Sequence, residues 1–581
     1  MKSNPILDKH KNDKDQLDFI LSTATKIVVT APAGCGKTTA MISKIAWELE
    51  QDHIGVNKKI LALTFSVNAA QKIEDSLKVL LPEIVNDTSK VLKKVQIANY
   101  HRFALQLLHK YGYSISKKLT ELDKFKIIDD NHLNAYLNSE DETIMKNFAN
   151  AINNSDTQKI RELYKSYWNI LKDNLFSKNI ITYNGILLGG IYLFANKNIE
   201  SFYNSYYDLI LIDEFQDTNK LQYYFVLPLI KNNRVVFLGD DTQKIYGFIG
   251  AENSAMRRIK DKFHAVEFDF KINYRFNNNE RIKQLDHLVR SYANDCYKSD
   301  IKAEALLKAL TSECDEVSFI VNGLKSITQN SNSNVAVLVR TNWQGEGIVS
   351  ALEENNIPFF NALFKESDQE FINFYKVATE EFHKITSKKA TQRDLQQCQK
   401  SIKERKDEII VNPKNAYVFT SLFHLLDKLF SLSISSGETA KERYLYIDSY
   451  LKSNSLKHMM EYIDEQIILT TIHSAKGLEW DYVIIPQIIA GIFPSYNHVC
   501  KKCEIQKTKS SSCKFDPKFN IIKDELKLFY VAITRAKKEV FLTTNKGSNR
   551  YGYRNKMSCL INLDGLSLKS FTWEEYFDKA T

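Results

Sequence analysis

The stretch KIVVTAPAGCGKTTAMISKIAWELE, residues 26–50, decides the fold. It opens on a β-branched apolar run, the composition of a strand buried on both faces. It closes on a segment whose apolar residues recur at helical spacing. Between the two, APAGCGKTT (31–39) reads A-x-x-x-x-G-K-T, a phosphate loop with alanine at its first position. Gly34 and Gly36 let the backbone curl so that its N–H groups face phosphate oxygens, and the new helix adds positive potential. Ala33, Cys35 and Thr39 complete the expected cradle, Lys37 reaches the outer phosphates, and the Thr38 hydroxyl is suited to Mg²⁺. The plainer alternative is a glycine-containing turn with a stray lysine. The strand–loop–helix context favours nucleotide binding.

Working outward, short apolar runs recur at 60–65, 208–213 and 235–240, and again at 335–340, 466–473 and 481–486. Such runs alternating with helical segments predict an α/β fold with two parallel-sheet cores. The first core is expected from 1–111 and 206–270, the second from 271–360 and 466–581. Residues 112–205 and 361–465 lack the strand rhythm and predict mostly helical insertions.

The 581 residues carry 44% hydrophobic and 26% charged side chains, which excludes collagen-like, low-complexity and wholly disordered chains. Eight cysteines are too sparse for a disulfide scaffold. No apolar run approaches the ~18 residues of a spanning helix, and the N-terminal residues carry no apolar signal core. These readings predict a soluble, cytoplasmic protein with no membrane partner. A net charge of +9 permits a nucleic-acid partner without demanding one.

The run YDLILID ends in Asp213, followed by Glu214. Carboxylates at the C-terminal edge of a strand lie where doubly wound sheets bind ligands. Asp213 is suited to holding Mg²⁺ through water, and Glu214 to orienting or deprotonating an attacking water. Without the phosphate loop, such an acidic strand end reads as solvated surface.

Around this pair the chain resembles the UvrD/Rep/PcrA-like superfamily 1 helicases. The resemblance runs from residue 12 to residue 538: NDKDQ (12–16), LTFSVNAAQKI (63–73), NYHRFALQLL (99–108), LIDEFQDTN (211–219), LGDDTQKIYGFIGA (238–251), NYR (273–275), VLVRTN (337–342), TIHSAKGLEWD (471–481) and YVAITRAKK (530–538), in family order. It implies two RecA-like cores, each interrupted by a helical subdomain, with ATP between them and single-stranded DNA crossing their top. By the same resemblance Gln16 reads adenine, Tyr274 stacks on it, and Glu479 lies at the nucleotide sugar. Gln243 couples the γ-phosphate to the DNA site, and Arg275 and Arg535 act as arginine fingers from the second core. The implied DNA contacts are Thr64, Phe65, His101, Tyr246, Phe248, Arg340, Asn342, Thr471 and His473. The implied activity is DNA-stimulated ATP hydrolysis driving 3′→5′ movement on single strands, with unwinding of tailed duplex DNA.

Three departures temper the resemblance. Phe248 and Ile249 replace a Trp and an Arg of the family's GWRGA motif, removing area and a cation near the DNA path. Leu526 and Lys527 replace an Arg pair. The second insertion is short for the family's mobile subdomain. The alternative these suggest is a DNA-sensing regulatory ATPase subunit beside a partner nuclease, as in phage-defence systems of the Gabija type. Separately, His498, Cys500, Cys503 and Cys513 offer a Cys₃His set for zinc, against which stand reduced surface cysteines in a Lys/Ser-rich loop.

Overall fold

The computed structural model describes residues 4–578, apart from 65–66, 86, 131–132, 244–254, 277–278, 295–299, 331–332, 436–438, 453, 496–519, 549–551 and 553. The chain forms two compact units, Met1–Arg275 and Phe276–Thr581.

The first unit contains β1 (Lys26–Thr30), β2 (Lys59–Thr64), β3 (Val95–Asn99), β4 (Lys126–Ile128), β5 (Ile180–Thr182), β6 (Tyr207–Ile212), β7 (Arg234–Gly239) and β8 (Val266–Asp269). Six of them make one sheet in the order β3-β2-β6-β7-β1-β8, every pairing parallel. Its carboxyl ends therefore share one edge, and the loops after β6, β7 and β1 are neighbours there. β4 and β5 pair in a separate parallel ribbon.

The period-2 alternation of each strand feeds two cores. Ile27, Val29, Ile60, Ala62, Leu209, Leu211, Val236 and Leu238 bury on one face, with Ala40, Met41 and Ile45 of helix Lys37–Glu50. Val28, Leu61, Leu63, Ile210, Ile212, Val235 and Phe237 bury on the other. That second core runs without a break into the helices between β3 and β6, through Phe103, Tyr167, Leu171, Ile186 and Leu187. Their caps are local: Asn99 accepts from the Arg102 N–H and Thr182 from the Gly185 N–H.

The second unit contains β9 (Ala303–Leu310), β10 (Val335–Val339), β11 (Phe360–Asn361), β12 (Ile467–Thr471), β13 (Trp480–Ile485), β14 (Ala536–Asn545) and β15 (Leu566–Lys569). They form a second all-parallel sheet, β11-β12-β10-β13-β14-β9-β15. The α/β class with two parallel sheets is thus observed. Between β11 and β12 the described residues are helical, chiefly Gln369–Thr386, Gln392–Glu404, Ala416–Ser435 and Ala440–Lys452. The stretch 413–435 is long and apolar enough to cross a bilayer by composition, a length the sequence reading did not anticipate. Leu422, Leu425, Leu426, Leu429 and Phe430 on it are buried in the unit's own helical core.

Candidate functional site

The parallel sheet of the first unit brings three loops to one point. After β1, Gly34 and Gly36 adopt φ of +79° and +71°, and Gly36 caps the helix that Lys37 begins. Left-handed backbone is nearly free for glycine and costly for other residues. After β6 come Asp213 and Glu214. The Lys37 Nζ donates to Glu214 Oε1 at 2.5 Å and lies 3.5 Å from Asp213 Oδ1. Glu214 itself sits at φ 51°, ψ 40°, where a non-glycine residue is strained by ~1–3 kcal/mol. Its N–H donates to Asp213 Oδ1 at 2.9 Å, which fixes the two carboxylates to one another.

The third loop follows β7. Gln243 Nε2 donates to Asp240 Oδ2 at 3.0 Å, the Asp240 N–H donates to Gln216 Oε1 at 3.1 Å, and Gln216 Nε2 donates to Glu214 Oε2. One chain of hydrogen bonds therefore joins Gln243 to Lys37 across the edge. Burial disfavours charge on Lys37, but Glu214 and Asp213 outweigh it and raise its pKa above the ordinary lysine value. Burial pushes Asp213 upward in turn, against the pull of Lys37.

A second cluster closes over the phosphate loop. Asp13 caps helix Lys14–Leu21 by accepting from the Gln16 N–H at 3.0 Å, and its other oxygen accepts from the Tyr274 hydroxyl at 2.8 Å. Gln16 Nε2 donates to the Cys35 carbonyl at 2.9 Å. Asn273 Nδ2 donates to the Ala33 carbonyl and the Tyr274 N–H to the Gly34 carbonyl, each at 2.9 Å. A Cβ on Gly34 would lie 2.7 Å from the Arg275 Cβ, and one on Gly36 would lie 2.8 Å from Gln16 Nε2. Close approach as well as backbone angle therefore requires glycine here. Gln16, Tyr274 and Arg275 are gathered at the loop that carries Lys37. Asp13 and Asn273 hold them there, and Gln216 and Asp240 bridge Glu214 to Gln243; the sequence reading left all four without roles.

Residues 12–264 match the model of the UvrD/REP helicase N-terminal domain, and residues 365–547 that of the UvrD-like helicase C-terminal domain. The chain belongs to the UvrD/REP helicase family. Membership makes it an enzyme, an ATP-dependent DNA helicase. It is 26% identical to a probable DNA helicase II homolog of Mycoplasma genitalium, over 95% of this chain and 86% of that protein. It is 23% identical to a DNA helicase II of Rickettsia typhi, over 95% of this chain and 94% of that protein. With the ATP-dependent DNA helicase PcrA of Leuconostoc citreum it shares 26% identity over 59% of this chain and 49% of that protein.

In the second unit of this UvrD/REP helicase, Arg340, Asn342, Thr471 and His473 follow the carboxyl ends of β10 and β12, whereas Glu479 and Arg535 precede β13 and β14 at the opposite edge. β10 ends next to Arg340, whose Nε and Nη2 form a fork on Glu525, with Nη2 to Oε1 at 2.7 Å. β12 ends at Thr471, whose Oγ1 donates to Ser474 Oγ at 3.1 Å. His473 nearby is pushed down to about 4, by burial first and by Arg340 second, so its imidazole is neutral at physiological pH. Asn342 begins a short turn in which Trp343 is 50% exposed. Trp343 is a large aromatic that the motif reading passed over, and its signal was only its place beside Arg340 and Asn342. Arg535 is buried, with Nε donating to the Val531 carbonyl and Nη1 to that of Leu478. Glu479 is exposed.

Thr64 is fully buried at the end of β2, and His101 opens helix Tyr100–Tyr111 with its ring edge-on to Tyr183. Burial pushes His101 down to about 4. Phe65, Tyr246, Phe248, His498, Cys500, Cys503 and Cys513 lie outside the described residues. Among the described residues no group of three or more His, Cys, Asp or Glu side chains is placed to hold a metal.

Proposed function

We propose that this helicase couples ATP hydrolysis in its first unit to 3′→5′ movement along single-stranded DNA, with separation of tailed duplexes. The observation that carries the reading is the convergence of Lys37, which follows β1, with Asp213 and Glu214, which follow β6, at the carboxyl edge of a parallel sheet in which β7 lies between those two strands. The donor set fits nucleotide and Mg²⁺: a left-handed glycine loop offers backbone N–H groups, and a hydroxyl and a carboxylate offer hard oxygen ligands.

In this reading Gln16 and Tyr274 take the base, and Glu479 the sugar. Ala33, Gly34, Cys35, Gly36 and Thr39 cradle the phosphates, and Lys37 exchanges Glu214 for a phosphate oxygen. Thr38 and Asp213 would hold Mg²⁺, which when bound neutralises charge on the outer phosphates. Glu214, released from Lys37, holds the attacking water and accepts its proton. Arg275 and Arg535 stabilise charge developing on the equatorial oxygens, an effect worth roughly 10³–10⁵ in rate. The Gln243–Asp240–Gln216–Glu214 chain links the hydrolytic carboxylate to the loop after β7, which leads into the expected DNA-contacting segment. His101, Arg340, Asn342, Thr471 and His473 contribute phosphate and sugar contacts, Thr64 being fully buried at the end of β2, and Trp343 adds a π-face for base stacking.

Steady-state ATP hydrolysis by the purified chain, with and without single-stranded DNA, tests the reading. Strong stimulation is expected. Equal rates in both conditions would break the coupling, and no turnover in either would return the regulatory-subunit alternative.

A further inference from the structure

His10 lies outside every motif of the sequence, yet its side chain is 3% exposed and both ring nitrogens are engaged. Nδ1 is 2.6 Å from Gln16 Oε1, and Nε2 is 2.8 Å from Ser43 Oγ on the phosphate-loop helix. The roles in this chain are fixed by elimination. The Cys35 carbonyl only accepts, so the Gln16 amide nitrogen faces it and Oε1 faces His10. An amide oxygen only accepts, so His10 Nδ1 carries the proton. In the neutral ring Nε2 is then an acceptor, and Ser43 donates. Burial lowers the His10 pKa, which keeps that neutral form in place.

One N–H of the Gln16 amide and one lone pair of its oxygen have no partner among the described residues, although the residue is 1% exposed. That pair complements adenine, which presents an N6–H donor beside the N7 acceptor, and mismatches guanine, which presents two acceptors there. Turned over, the amide would set its oxygen against the Cys35 carbonyl, acceptor against acceptor, and its N–H toward His10, which could accept only by moving its proton to Nε2 and reversing the Ser43 bond. We infer that His10 is a positioning residue for nucleotide-base selection: through Nδ1–H it locks the Gln16 amide in the orientation that distinguishes adenine from guanine. This rests on the reading of Gln16 as the base-contacting residue.

The test is kcat/KM for ATP and for GTP, with single-stranded DNA present, in the full chain and three variants. His10→Leu keeps volume and removes the donor, so the ATP-over-GTP ratio should fall roughly tenfold, the discrimination that one well-aligned amide–base pair supplies. The loss should appear in KM for ATP, with kcat at saturation retained. His10→Asn places an N–H near the Nδ1 position and should restore the ratio. Gln16→Ala should abolish it. If Gln16→Ala loses the preference while His10→Leu keeps it, the role of His10 falls and the reading of Gln16 stands. If Gln16→Ala keeps the preference, both fall. If His10→Asn loses it as fully as His10→Leu, with unchanged thermal melting, packing and not the hydrogen bond is responsible.

Discussion

The two sheets present the same kind of carboxyl edge and fill it differently. In the first unit, loops from adjacent strands close one network: Gln243, Asp240, Gln216, Glu214, Asp213 and Lys37 each contact the next. In the second, the polar groups are held in separate local pairs. Arg340 sits on Glu525 and Thr471 on Ser474, while Trp343 stands open. A parallel sheet supplies a ligand-binding edge but no particular chemistry. The phosphate loop after β1 makes the first edge hydrolytic, and the second edge is left to bind an extended polymer.

The sharpest way to break this comparison is Lys37→Ala. It removes the cation from a network of buried carboxylates and the group expected to meet the outer phosphates. ATP turnover should fall by at least ~10²–10³-fold, since electrostatic contacts of this kind carry several kcal/mol of transition-state stabilisation. Binding of single-stranded DNA should remain measurable by fluorescence anisotropy, because the second edge is untouched. Turnover persisting in the variant would mean that the first edge is not the hydrolytic one.

The second edge is probed by Trp343→Ala. Base–aromatic stacking contributes ~1–3 kcal/mol per base, so single-strand affinity should drop about tenfold. Of the other four tryptophans, Trp168, Trp480 and Trp573 are buried and Trp47 is half-buried on the helix that follows the phosphate loop. Quenching of the parent's tryptophan emission on DNA addition, lost in the variant, would therefore report this site. Unchanged affinity would place the strand elsewhere.

What was legible in the sequence follows a physical divide. The phosphate loop and the acids after β6 are read from a few consecutive residues, because backbone shape and strand position fix their chemistry locally. Their supports are not. Glu525 lies far along the chain from Arg340, and Asn273 from Ala33, so only the folded sheet shows these pairings. His10 precedes its motif and looks like any helix-end histidine until the loop folds over it. Among elements, AEALLKAL (303–310) has helical composition and yet forms β9 between β14 and β15. There the unpaired edge of β14 and burial on the sheet outweigh helix propensity. VQIAN (95–99) forms β3 although it is too polar to stand out as a strand.

A smaller effect concerns the stability of the first unit's helical insertion and its response to pH. In the first unit Asp130 follows β4, accepts from the Tyr167 hydroxyl and from Asn184 Nδ2, and is 3% exposed. Burial pushes its pKa up to about 7, against those hydrogen bonds. In the unfolded chain the carboxyl titrates near the ordinary 3.8, so between that value and 7 the folded state binds more protons. Stability from this group is then fully present at the acid end and is lost as pH rises through about 7, a change on the order of a few kcal/mol. Thermal melting of the parent should decline from pH 5 to pH 8. Asp130→Asn, which keeps an oxygen for Tyr167 and cannot ionise, should flatten that decline and raise the melting temperature at pH 8. A slope that survives the substitution would assign the pH response to other groups, among them Glu316 and Glu539 of the second unit, whose carboxyls burial also raises.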